Sequence, residues 1–233
     1  MIDKQGVSAI MRKLEVPALL AVPLALLCLG YFEVEQSALL TVLACVLCLL
    51  VFFASFETGK PDLKQIMPTV VLAALATAGR ILFAAIADVK PVSAITIIAG
   101  VVFGKRCGFM VGALAALVSN FFFGQGPWTP WQMYGWGLMG YLAGVLAQKG
   151  LFEHKPALYV YGFLACIVEY GFLLNLWTLV GFVRPLTWEA VVLTFSAGFM
   201  FDLLHAVATV LFLLLFYAPW SRKLLRIKTK YGL

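Results

Sequence analysis

Four ionisable residues sit inside apolar stretches of this 233-residue sequence: Arg80, Glu169, Asp202 and His205. A charge in such a setting is costly and ordinarily faces a partner or a polar cavity, so each needs a role. Asp202 and His205 stand three residues apart, a spacing that lets two side chains meet on one helical face. Two readings stand for them. One is a structural arrangement inside a helix bundle, with Arg80 or His205 neutralising Asp202; the other is contact with a solute or a coupling ion. A second concentration of chemistry is Asn120-Phe121-Phe122-Phe123-Gly124-Gln125-Gly126-Pro127-Trp128-Thr129-Pro130-Trp131-Gln132-Met133-Tyr134-Gly135-Trp136. Its glycines and prolines favour an irregular turn, and its aromatic residues set flat apolar surfaces beside amide donors and acceptors. Asn120, Gln125, Trp128, Trp131, Gln132, Tyr134 and Trp136 are therefore candidate solute contacts, joined further along by Asn175, Trp177 and Arg184. The other reading of the aromatics is an interfacial belt, which membrane proteins build at headgroup level.

Beyond binding, the sequence signals little chemistry. It has no Walker motif, no Gly-x-Ser-x-Gly elbow and no His-Glu-x-x-His pair, so the expectation is a non-enzyme without a catalytic residue and without a cofactor of its own. Cys45 and Cys48 make a Cys-x-x-Cys spacing, but leucine and valine surround them, and packing is the reading for all five cysteines rather than a metal site. A net charge of +6 comes with no basic recognition helix, so nucleic acid is not an expected partner.

The elements that must carry these residues are membrane helices. Hydrophobic residues make up 63% of the chain and charged ones 12%, with mean hydropathy +0.99, far from a soluble domain. Apolar runs, broken by charges, glycines and prolines, place helices near 16–32, 37–55, 66–87, 91–104, 107–123, 132–149, 157–180 and 189–218. Starting in the cytoplasm and alternating sides puts Lys4, Arg12, Lys13, Lys60, Lys64, Lys105, Arg106, Lys149, Lys155, Arg222, Lys223, Arg226, Lys228 and Lys230 inside. Only Lys90 and Arg184 fall outside, so the expectation is an all-α protein of the lipid bilayer with eight spans and both termini cytoplasmic. The fourth helix is too short to cross the hydrocarbon core alone and must be tilted or shielded by protein. Gly108, Gly112, Gly140 and Gly144 let helices approach closely.

From about residue 66 onward the layout resembles the S components of energy-coupling factor (ECF) importers. The resemblance rests on Ala74-x-x-x-Ala78 in the third helix, on Pro91 to Gly104 followed by Gly108 and Gly112, and on Gly126-Pro127-Trp128-Thr129-Pro130-Trp131-Gln132-Met133. It implies a six-helix solute-binding core over 66–233, preceded by a two-helix membrane extension over 1–65 that departs from the family pattern. It further implies a membrane subunit that captures a vitamin outside and reorients against a scaffold, the T component, while two cytoplasmic ATPase subunits consume the ATP. Ala74 and Ala78 are then the docking stripe. Among solutes the last segment is similar to a subgroup associated with cobalamin, which the broad uncharged aromatic turn also suits; riboflavin, a flat ring system, suits the tryptophans too. The alternative is a stand-alone secondary transporter in which Asp202, Glu169, Arg80 and His205 relay protons.

Overall fold

The computed structural model describes residues 4–58 and 63–233, and every regular element among them is helical. With no water in a hydrocarbon core, a backbone satisfies its own polar groups by coiling, and the apolar runs do so here. In chain order the helices are α1 (Lys4–Tyr31), α2 (Ser37–Thr58), α3 (Leu63–Leu82), α4 (Val92–Phe103), α5 (Lys105–Phe123), α6 (Trp128–Gln148), α7 (Lys155–Leu164), α8 (Phe172–Phe182) and α9 (Trp188–Tyr231). A wider π-helical turn, Ala165–Gly171, joins α7 to α8, so that Lys155–Phe182 is one continuous rod. Five of the resulting rods are long and apolar enough to cross a membrane, while Ile66–Leu82 and Val92–Phe103 are apolar but shorter.

Four boundaries differ from the sequence expectation by more than three residues, the first being that the leading helix already begins at Lys4 in place of 16. The third helix stops at Leu82, and residues 83–91 form a chain of turns in place of its expected end at 87. The sixth begins at Trp128, four residues early, because Pro127 caps it and Pro130 falls in its first turn, where an amide N–H has no intrahelical acceptor to lose. The last runs on to Tyr231 through Pro219, carrying the basic tail as helix. Of the basic residues assigned to the inside, Lys60 lies outside the described residues.

The short helix α4 is the centre of the molecule. Every residue from Val92 to Gly100 is buried, and α3, α5, α6 and α9 surround it. Its 12 residues are thus shielded by protein, and its carboxyl end receives the ammonium of Lys228, which donates to the Val102 carbonyl at 2.6 Å. Gly104, at φ +94°, breaks α4 from α5 in a conformation that side chains with a Cβ disfavour. The α4, α5 and α6 backbones then meet through glycine: a Cβ on Gly100 would stand 2.1 Å from the Gly140 carbonyl oxygen, and one on Gly108 2.4 Å from the same atom.

The two leading helices pack against α5, α6 and α8. Phe52 stacks on Phe109 at 3.7 Å, Tyr134 donates to the Leu19 carbonyl at 2.7 Å, and Glu15 pairs with Arg106 while accepting from Ser55. Leu20, Leu24, Leu43, Leu47, Leu211 and Leu215 stay exposed, an apolar exterior suited to lipid. Lys105, Arg106, Lys149, Lys155 and the Arg222 to Lys230 tail gather at one end of the bundle; Lys90 and Arg184 stand at the other.

Candidate functional site

At the end of the bundle opposite the basic tail, the last turns of α3 and α5 meet the first two turns of α6. Arg80, 7% exposed, comes from α3. Its Nη1 donates to Ser119 Oγ and, at 2.7 Å, to Asn120 Oδ1, while Nη2 reaches Gln132 Oε1 only at 3.5 Å. Asn120 Nδ2 donates in turn to Thr129 Oγ1 at 3.0 Å and Gln132 Oε1 at 2.8 Å. The guanidinium lies between two rings, with its carbon 4.7 Å from the centroid of Phe123 and 4.7 Å from that of Trp136. These residues form a box of neutral amides and hydroxyls around one cation, between aromatic walls.

Deeper in the bundle, Trp136 donates from Nε1 to Ser93 Oγ at 2.9 Å, and Ser93 Oγ meets His205 Nε2 at 2.7 Å. Tyr170 lies against Trp136, centroids 4.8 Å apart, and edge-on to His205 at 5.1 Å. Toward the loop side, residues 83–91 bring Asp88 and Lys90 near the box. Burial raises the Asp88 carboxyl above its ordinary value and lowers the Lys90 ammonium, each against the attraction of the other.

Asn120, Gln132 and Trp136 are thus brought together, and the network adds Ser119, Thr129, Phe123 and Ser93. The remaining sequence candidates go elsewhere. Trp131 is 1% exposed and stacks on Trp177 with centroids 5.9 Å apart, edge-on to Tyr134, so these three pack among α1, α6 and α8. Trp128 is 42% exposed and lies over Gly126. Gln125 is exposed and donates to the Leu117 carbonyl. Arg184 is turned away from the box: its guanidinium donates to the carbonyls of Val180, Val183 and Val34 and to Ser37 Oγ, fastening the α1–α2 turn to α8.

Asp202 and His205 do not pair. Their 60° offset around α9 sends Asp202 toward α8, where Asn175 Nδ2 donates to its Oδ2 at 2.8 Å, and His205 toward α4 and α6. Gly171 and Gly198 make room for that carboxylate and amide, since a Cβ on either would lie within 2.5 Å of them. Nor does Arg80 reach Asp202; among the described residues the ion pair within 4.0 Å is Arg106 with Glu15. Both carboxyl oxygens of Glu169 are enclosed without a hydrogen-bond partner.

On the far side of α3 from the box, Ala74 and Ala78 are exposed. They share their face with Val71 and Leu75, which line a groove of about 560 Å³ together with Met67, Trp220, Leu224 and Ile227.

A family model described as the ECF-type riboflavin transporter, S component, matches residues 60–220 of the 233. No curated protein and no solved structure matches the chain.

Proposed function

This chain belongs to the family of ECF-type riboflavin transporter S components, and from that premise we propose that it captures a vitamin of riboflavin's chemical class at the box around Asn120, Gln132 and Trp136. The protein is a membrane protein of a transporter family rather than of an enzyme family. Family membership implies a T component and ATPase partners, so ATP is spent outside this chain. The observation that carries the solute assignment is the box itself: flat ring walls with amide donors and acceptors at their edges, lying at the end of the bundle opposite the basic residues. Such a lining suits a planar heteroaromatic solute with polar atoms on its rim. A broad aromatic turn suits cobalamin; with Trp131, Tyr134 and Trp177 packed inward, fewer rings remain to face a solute, which supports the planar vitamin.

The same reading orients the molecule. The basic end is cytoplasmic, the box faces outward, and eight rods cross the bilayer with both termini inside, an assignment supported by the charge asymmetry between the two ends. We assign the six helices from α3 onward, counting Lys155–Phe182 as one, to the solute-binding core, because the family match begins where α2 ends. Ala74 and Ala78 are the scaffold-docking stripe, a role favoured by their exposure on a face that α1 and α2 leave uncovered.

Titration of the purified chain, without partner subunits, with riboflavin, cobalamin, folate, thiamine and pantothenate tests the solute. Saturable quenching of tryptophan fluorescence by riboflavin is expected, weakened in Asn120→Leu. Saturation by cobalamin and none by riboflavin would reinstate the corrinoid; binding of none of them would end the capture reading.

A further inference from the structure

A guanidinium as enclosed as that of Arg80 ordinarily has an anion beside it, because taking a charge out of water costs several kcal/mol unless something pairs with it. Every group that accepts from Arg80 is neutral: Ser119, Asn120 and Gln132. Asp88, on the neighbouring loop, is not within ion-pair distance among the described residues. The three acceptors engage the group unevenly. Nη1 is fully used by Ser119 and Asn120. Nε is buried with no hydrogen-bond partner, and Nη2, which lies on the same edge, has only the 3.5 Å contact. The side-on edge of an arginine, Nε–H beside Nη2–H, is a two-pronged donor that matches a pair of adjacent acceptors. Here that edge is unspent, while Phe123 and Trp136 on the two faces fix the plane of the group.

Resting on the vitamin reading above, we propose that the side-on edge of Arg80 is the specificity element of the site and grips two adjacent acceptor atoms on the rim of a planar solute, in a flavin N1 and the C2 carbonyl oxygen. The electron-rich N1–C2=O edge places its negative potential against the uncompensated cation. Asn120 and Gln132, already tied to the guanidinium, hold it in register instead of competing for the edge. The ring walls set the plane in which the solute lies. Access is past Phe123, which is 37% exposed, ends α5 and covers one face of the guanidinium. Gly124 follows it at φ +100°, with nothing within 4 Å of where a Cβ would stand, so open space lies beside the ring.

Comparison of riboflavin with 1-deazariboflavin, in which a C–H replaces N1, isolates this contact in the whole purified chain. The parent protein is expected to bind the deaza compound about tenfold or more weakly, since a donor of the fork is left facing a C–H. Arg80→Lys keeps the charge and loses the fork, so its two affinities should converge to a ratio near one, with riboflavin weakened. Tight riboflavin binding by the parent with equal affinity for 1-deazariboflavin overturns the proposal and leaves the capture reading in place; this arm needs no variant and stands even if Arg80→Lys fails to fold. A parent-like ratio in folded Arg80→Lys also overturns it. Binding of pantothenate and not riboflavin would overturn the flavin assignment in favour of a carboxylate on the fork, and absence of binding to every solute overturns the capture reading as well.

Discussion

Gly140→Ala is the change that most directly tests how the box is held. A Cβ at Gly140 would stand 2.3 Å from the Gly108 carbonyl oxygen, 2.5 Å from its carbon and 2.8 Å from Thr96 Cγ2. Ordinary contact begins near 3.4 Å, so α6 would have to retreat from α5 by about 1 Å, and two of the three obstacles are backbone that cannot rotate aside. Overpacking of this kind costs about 3 kcal/mol at the unyielding end of its range. Replacing a helical glycine by alanine returns about 1 kcal/mol of backbone entropy. The net loss is then about 2 kcal/mol, which for a chain of this size lowers the melting temperature by about 4–8 °C. Because Trp136 lies one turn from Gly140 and Gln132 two turns, the same retreat opens the box and should weaken solute binding about tenfold. Gly181→Ala is the control: its Cβ would meet Ala38 Cβ at 3.3 Å, a few tenths of an ångström from comfort, so the helix-propensity gain offsets the contact. Thermal unfolding in detergent, with riboflavin titration of each variant, reads both effects. A Gly140→Ala protein that melts within about 2 °C of the parent and binds as the parent does would refute the close-packed glycine seam as the support of the site.

Three further outcomes follow from the same geometry. Tryptophan at both Ala74 and Ala78 should abolish co-purification with the scaffold subunit while leaving solute affinity intact; retained co-purification would remove the docking assignment. Arg184→Ala strips four hydrogen bonds, two of them across the junction of the α1–α2 turn with α8, so it should destabilise by about 1–3 kcal/mol in a melting experiment and leave riboflavin affinity unchanged; a selective loss of affinity would return Arg184 to the solute site. Trp131→Ala should cost about 3–5 kcal/mol of stability, as for a fully buried aromatic, whereas exposed Trp128→Ala should cost little. Equal melting temperatures for the two variants would contradict their placement.

The helices were legible because apolar run length is a direct consequence of bilayer thickness; the shortness of α4 left tilt or shielding by protein open, and its burial among α3, α5, α6 and α9 shows the shielding. The partition of the aromatic turn was not legible, and the reason is one boundary. Read as an irregular turn, Trp128 to Trp136 is a cluster with no sides. Begun as a helix at Trp128, the same residues separate by period: Gln132 and Trp136, four apart, face Arg80, while Trp131 and Tyr134, three apart, turn toward α8 and α1. Arg80, Asn120 and Gln132 were each visible as residues that needed a role, but their meeting spans separations of 40 and 52 residues that no local pattern encodes. Ser119 had only its place beside Asn120 to mark it. The π-helical turn at Ala165–Gly171 has no signal in composition, although it is what sets Tyr170 against Trp136.

The way the ionisable groups are separated bears on how the protein is energised. A proton relay requires titratable groups within hydrogen-bond reach of one another, or joined through groups that pass a proton on. Here Asp202 is held by Asn175, His205 by Ser93, and Arg80 by two amides and a hydroxyl, while Glu169 has no hydrogen-bond partner for its carboxyl oxygens. Each is tied to a different neutral neighbour or to none, and among the described residues no chain of hydrogen bonds joins them from one end of the bundle to the other. Loss of uptake on collapsing the proton gradient, in membranes without the ATPase partners, would speak for the relay. The arrangement of faces favours the other source of energy. The leading helices are fastened over α5, α6 and α8 through Glu15, Tyr134 and Arg184, and they leave the alanine face of α3 free. A solute held at one end and a smooth helical face along one side are what a body needs if another subunit is to turn it within the membrane.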